Sequence, residues 1–141
     1  NGCWRSWTGR WRADKTSGRN SGGDCEEKTM EEHLHILWTN ADPVVFDKMV
    51  LMYAVNSLTH GWWEKVTVIL WGESARLAVE DPAVAGRIRQ ARAQGVAFSA
   101  CVSCARELGV EEQLREMGLE VIPWGEPLTR LIRSRAPLLT V

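Results

Sequence analysis

The chain has 141 residues, 45% of them apolar, and a formal net charge of −1. That is enough for one ordinary domain with a real core, and so balanced a charge argues against a general nucleic-acid binder, which carries a basic excess. No apolar run approaches the roughly 20 residues needed to cross a bilayer, and no signal-like apolar stretch opens the chain, so the expectation is a cytoplasmic protein with neither nucleic-acid nor membrane partners.

Residues 1–29 are rich in Gly, Ser, Arg and Lys and show no helix or strand period. Trp4, Trp7 and Trp11 alternate there with Arg5, Arg10 and Arg12. Such an arm can stack on nucleic acid or on a partner. The plainer expectation is a disordered or non-native extension, with Met30 as the natural start and with Cys3 and Cys25 carrying no chemistry. The domain is expected to occupy residues 30–141.

His35-Ile36-Leu37-Trp38 is an apolar run that suits a buried strand. Asn40-Ala41-Asp42-Pro43 follows, with Asp42 a good N-cap and Pro43 fitting the first helical position. Val44 to Thr59 reads as a helix whose apolar row runs through Val45, Met49, Met52 and Asn56, widened by Val44, Leu51, Val55 and Leu58. Gly61 stops it. Val66 to Leu70 is β-branched and nearly all apolar, as a central parallel strand requires. Trp71-Gly72-Glu73-Ser74 breaks that strand, Ala75 to Val79 is a short helix, and Asp81-Pro82 starts another that reaches Gln94. Val96 to Ala100 is the third strand, followed by Cys101-Val102-Ser103-Cys104 and a helix beginning over Ala105 to Leu108. Glu111 to Met117 is helical, and Leu119 to Ile122 is the fourth strand. Pro123 to Pro127 is a loop, Leu128 to Arg135 a helix, and Leu138 to Val141 a short last strand.

Strands alternating with helices imply an α/β fold: an open sheet of about five mostly parallel strands with helices on both faces. In such sheets ligands bind beyond the carboxyl ends of the strands. That rule gathers Asn40 to Asp42, Trp71 to Ser74, Cys101 to Cys104 and Trp124 to Glu126 at one edge.

Cys101 follows a strand and precedes a helix. A helix start offers free N–H groups and partial positive charge, which favour the nucleophilic thiolate. Cys104, one turn on, can face the same side. Three readings of the pair stay open: a dithiol for disulfide exchange, half of a zinc site, or a reactive Cys101 assisted by Cys104. Zinc needs four ligands, and the domain has no second spaced pair, so no metal is expected.

His60, at the end of the first helix, suits a capping role beside the helix dipole. His33 and His35 are expected as solvent-facing residues at the strand entrance, on the wrong edge for the site. Trp71 and Trp124 suit either the walls of an apolar pocket over the cysteines or a subunit interface. Ser74 is expected to cap the following helix, with its neighbouring N–H groups available to an anion. No Gly-rich phosphate loop occurs, which disfavours nucleotide chemistry, and no cofactor is expected.

The segments LWTNADP, VTVILWGES, GVAFSACVSCARELGV, MGLEVIPWGEPLTRLI and the terminal LLTV, in that order and spacing, resemble the DsrE/DsrF-like family. The resemblance runs from about His35 to Val141, and the strand-end Cys-x-x-Cys and Gly-Glu-Pro-Leu-Thr are its most specific pieces. It implies a flavodoxin-like fold, assembly as a homo-oligomer (trimer or hexamer), and relay of sulfur as a cysteine persulfide between donor and acceptor proteins. The position of the family's active cysteine matches Cys101. Cys104 matches a second cysteine found in a subset, and this chain looks like a short stand-alone member.

The leading expectation is therefore a sulfur carrier with Cys101 and Cys104 as the candidate catalytic pair and Asn40, Asp42, Trp71, Ser74 and Trp124 around a strand-end pocket. The alternatives are an oligomeric small-ligand or partner-binding module and a thiol–disulfide redox protein.

Overall fold

The computed structural model of the chain describes residues 32–141. The expectations for residues 1–29, including Cys3 and Cys25, lie outside these residues.

Five strands form one sheet: β1 (His33–Trp38), β2 (Lys65–Leu70), β3 (Ala97–Cys101), β4 (Glu120–Ile122) and β5 (Leu138–Thr140). Their order is β4-β3-β2-β1-β5, and every neighbouring pair is parallel. The helices are α1, running from Pro43 through Thr59, α2 (Glu73–Glu80), α3 (Pro82–Ala93), α4 (Val102–Glu107), α5 (Glu111–Glu116) and α6 (Gly125–Arg133). This is the expected open, flavodoxin-like α/β architecture. No described helix is long and apolar enough to cross a membrane.

The winding decides where the helices lie. From β1 to β4 the chain steps across the sheet in one direction, then β5 returns to the far side of β1. Parallel crossovers are right-handed almost without exception, so a reversal of direction moves the connection to the other face. The side chains agree. Leu34, Ile36, Trp38, Val66, Val68, Leu70, Phe98, Ala100 and Val121 join the main core beneath α1 to α5. The alternate residues Leu37, Ile69, Cys101 and Ile122 pack instead with Trp124, Leu128 and Leu131 of the α6 segment. The expectation of helices on both faces holds, but one face carries a single helix.

Both long helices start as their sequences predict. Asp42 Oδ1 accepts from the N–H groups of Val44 and Val45, at 2.8 and 3.2 Å, and Pro43 takes the first helical position. Asp81 Oδ1 caps α3 in the same way, on Ala83 and Val84. These bonds satisfy donors that a helix start leaves free.

The buried face of α1 differs from the expected one. Phe46, Val50, Leu51, Ala54 and Ser57 are buried, whereas Val44 and Met49 are exposed. Phe46 stacks on Trp38 of β1 with ring centroids 4.4 Å apart, which sets the rotation of the helix. The stretch Phe46–Leu51 is also π-helical, so it holds more residues per turn than the 3.6 on which a sequence pattern relies.

This rotation is testable. Phe46→Ala is expected to cost about 3–5 kcal/mol, as truncation of a buried aromatic does. Val44→Ala, at a position 64% exposed, is expected to change stability by less than about 0.5 kcal/mol. Urea midpoints measure both, and equal losses would contradict the packing described.

Candidate active site

Cys101 is the last residue of β3 and the N-cap of α4. It is 4% exposed and packs with Ile69 and Trp124 on the α6 side of the sheet. Cys104 sits in the first turn of α4, half-buried, and packs in the same cluster as Cys101. The Gly72 backbone, in the loop after β2, acts on the Cys104 thiol. Burial pushes the Cys104 thiol above its ordinary range, the Gly72 backbone opposes this, and Cys101 and Glu107 add to it. Cys104 therefore keeps its proton at neutral pH.

The pair lies where the winding reverses. After β3 the chain leaves toward one face through α4, and after β4 it leaves toward the other through α6. Cys101 and Ile122 are register partners at that point. Diverging connections open a crevice beyond the carboxyl ends of neighbouring strands. Here it is a cavity of about 640 Å³, lined by both cysteines, Trp71, Glu107, Trp124 and Glu126 among others. Its size fits a small ligand.

Trp124 is buried, and its indole N–H donates to Ser99 Oγ at 2.8 Å. The Ser99 hydroxyl in turn donates to the Glu120 carbonyl at 3.1 Å. The ring over Cys101 is thereby held from inside the sheet. Trp71 is half-buried and packs in the same cluster. Both tryptophans line the cavity.

Ser74 does not cap α2, which has Gly72 at its N-cap with no side-chain bond. The Ser74 hydroxyl is fully buried, donates to the Trp38 carbonyl at 2.6 Å and accepts from the Trp71 N–H at 3.0 Å. It ties together the carboxyl ends of β1 and β2, so the hydroxyl is engaged within the protein. Asn40 and Asp42 lie at the same edge of the sheet but do not line the cysteine cavity. Asn40 Oδ1 accepts from the Asp42 N–H, and Asp42 is occupied by its capping bonds. Their loop instead borders, through Ala41, a separate cleft of about 440 Å³ against α2 and the start of α3. Four segments thus share the edge, but three of them reach the cavity.

The histidines also correct the sequence reading. His33 and His35 are part of β1, and His35 is buried beside Trp124, with ring centroids 6.3 Å apart. The strand begins two residues earlier than its apolar run suggests. His33 Nε2 meets Thr67 Oγ1 at 2.8 Å, and the two imidazoles lie 3.9 Å apart. His35 Nδ1 is buried with no hydrogen-bond partner among the described residues. With Thr67 and Ser99 these residues form a polar lane on the α6 face. Period-two alternation in three otherwise apolar strands was the available signal. His60 closes α1 as its C-cap, with its ring stacked on Trp62 at 5.1 Å. Glu107, at the end of α4, was missed because strand ends alone were searched. No cluster of three or more His, Cys, Asp or Glu suited to a metal ion occurs among the described residues.

No family model matches the sequence, and no curated protein matches it. A solved structure of a conserved protein of unknown function from Bacteroides thetaiotaomicron is 33% identical, with a TM-score of 0.76. The match covers 78% of this chain and 95% of that one. A protein of unknown function from Methanobacterium thermoautotrophicum is 16% identical with a TM-score of 0.57, over 77% of this chain and 98% of that one. That second likeness shows the fold alone.

Two outcomes follow from the polar lane. Ser99→Ala removes the acceptor of a buried indole N–H and is expected to cost about 1–3 kcal/mol in a urea titration. The His35 imidazole is held down at about 4 by burial first, then by His33 and Lys65. Its unfolded value is near about 6.5, so the unfolded chain takes the proton first as pH falls. His35 therefore favours the folded state fully above pH about 6.5, and that contribution is lost between about 6.5 and 4. Denaturation at stepped pH should show a steeper acid loss for wild type than for His35→Leu; parallel curves would contradict the assignment.

Proposed function

We propose, for a chain that belongs to one family with the conserved Bacteroides thetaiotaomicron protein, a cytoplasmic sulfur carrier of the DsrE/DsrF-like kind that holds sulfur as a persulfide on Cys101. The observation that carries this reading is the contact of two thiols on the floor of a tryptophan-walled cavity at the reversal of the sheet.

The chemistry needs no cofactor. The Cys101 thiolate attacks the outer sulfur of a donor persulfide; a new S–S bond forms, the donor's S–S bond breaks, and the donor leaves as a thiolate. Delivery is the same step run onto an acceptor thiolate, which takes the outer sulfur and returns Cys101 as a thiolate. Cys104, which keeps its proton, donates a hydrogen bond to the Cys101 sulfur and steadies its charge. When Cys104 attacks the inner sulfur instead, hydrogen sulfide leaves and a Cys101–Cys104 disulfide remains. An external dithiol must reduce that disulfide before another cycle. The burial of Cys101 and the Trp124 roof keep water from the persulfide, a reversible cap that hydrolysis and oxidation would otherwise shorten.

The same contact supports a second reading, a thiol–disulfide redox protein, in which the pair cycles as a disulfide without sulfane sulfur. An oligomer, a trimer or hexamer, fits the carrier reading. The single helix on the α6 face leaves Ile132 59% exposed and Leu128 and Leu131 half-exposed, apolar area that another subunit would cover.

Intact-protein mass spectrometry after incubation with a sulfane-sulfur donor tests the proposal. Wild type and Cys104→Ser should gain one sulfur atom that reduction removes, and Cys101→Ser should gain none in the domain. Failure of every form to retain sulfur, with the fold intact, would rule out the carrier. A disulfide that forms and cycles without sulfur retention would favour the redox reading.

A further inference from the structure

The charges at the mouth of the cavity bear on which sulfur compounds it admits. Its charged lining residues are Glu107 and Glu126, and no Lys, Arg or His among the described residues lines it. Glu107, at the end of α4, lies near enough for its charge to act on the Cys104 thiol. Two arginines near these residues in sequence are engaged in ion pairs. Arg106 bonds Glu111 at 2.8 Å, and Arg130 meets Glu126 at 2.9 Å. That second pair is exposed on both sides and is screened by solvent. Glu107 has no ion-pair partner among the described residues.

The walls have the same preference. An indole face attracts a cation and repels an anion, and two tryptophans line this cavity. A cleft lined by one sign of charge, with low-dielectric walls, concentrates counter-ions and depletes co-ions. A dianion such as thiosulfate would meet two carboxylates and two aromatic faces on its way to Cys101, with no cationic group among the described residues lining the cavity.

From this arrangement we infer that the cavity selects its sulfur compound by charge: it admits small organic persulfides that carry a cationic group, such as those of aminothiols, and excludes anionic sulfur compounds that lack one, with Glu107 the specificity-determining residue. The substrate class rests on the proposed sulfur relay, whereas the charge selection can be measured without it.

The test uses the full chain and three methanethiosulfonate reagents carrying a trimethylammonium, a sulfonate or a neutral alkyl group. In each case the Cys101 thiolate forms a disulfide with the thioalkyl group and methanesulfinate leaves, so that only the charge of the transferred group varies. Peptide mass spectrometry reads Cys101 separately from the other cysteines. Rates on the urea-unfolded chain supply the reference. The cationic-to-anionic rate ratio at native Cys101 should exceed the unfolded ratio by about tenfold or more. Glu107→Gln should lower it severalfold and Glu107→Lys should reverse it. Glu126→Gln should have a smaller effect, because Arg130 already offsets that charge. Glu107 is exposed, so these changes leave the core untouched.

A native ratio equal to the unfolded one, a preference for the sulfonate, or no modification of native Cys101 by any reagent would overturn the inference. Charge selection in a protein that retains no sulfur from an aminothiol persulfide would uphold the selection and remove the relay. Retention of sulfur as readily from thiosulfate as from the aminothiol persulfide would uphold the relay and remove the selection.

Discussion

Parallel strands cannot be joined by tight turns; each connection has to carry the chain back over a face of the sheet. All five strands here run in one direction, so every strand ends at the same edge. The handedness of the crossings then leaves one free choice, the point at which the chain changes face. In this molecule the change comes after β4. The crevice between β3 and β4, the position of Cys101 on its floor and the lone helix behind it all follow from that choice. A site placed by winding needs few specialised residues, and most of the edge is in fact occupied by structural bonds. Ser74 closes the ends of β1 and β2, and Asp42 caps α1.

The electrostatics of the thiols are less favourable than a helix start alone suggests. The helix that follows Cys101 has six residues, too short to build much of a dipole. Glu107 stands at its other end and works against negative charge on sulfur. Burial and Glu107 keep the proton on Cys104.

Much of this was legible in the sequence, for identifiable reasons. Val66 to Leu70 could only be a strand buried on both faces, and Asp42-Pro43 and Asp81-Pro82 state their helix starts by chemistry that is local. Cys101, Cys104, Trp71 and Trp124 could be brought together because strand ends in a parallel sheet share an edge whatever the strand order. The failures lie where tertiary contacts decide. The rotation of α1 depends on Phe46 meeting Trp38, a contact between helix and strand that no local period contains, and a π-helical stretch breaks the period on which a helical pattern relies. His35 looked like a polar residue at a strand entrance until Trp124, far along the chain, covered it. Asn40 was assigned to the pocket because it shares the edge, but sharing an edge does not settle which side of the sheet a loop faces.

The α6 face has a consequence for how the cavity opens. None of the residues of α6 is fully buried, and its apolar contacts are confined to a few side chains such as Leu128 and Leu131. An element with so little area to lose detaches at a small fraction of the global unfolding free energy. The sulfur atoms then become reachable through the breathing of one helix while the main core under α1 to α5 stays closed. Access to Cys101 would in that case be timed by the opening equilibrium of α6, and a substitution that strengthened its packing would slow entry and exit alike without touching a cysteine.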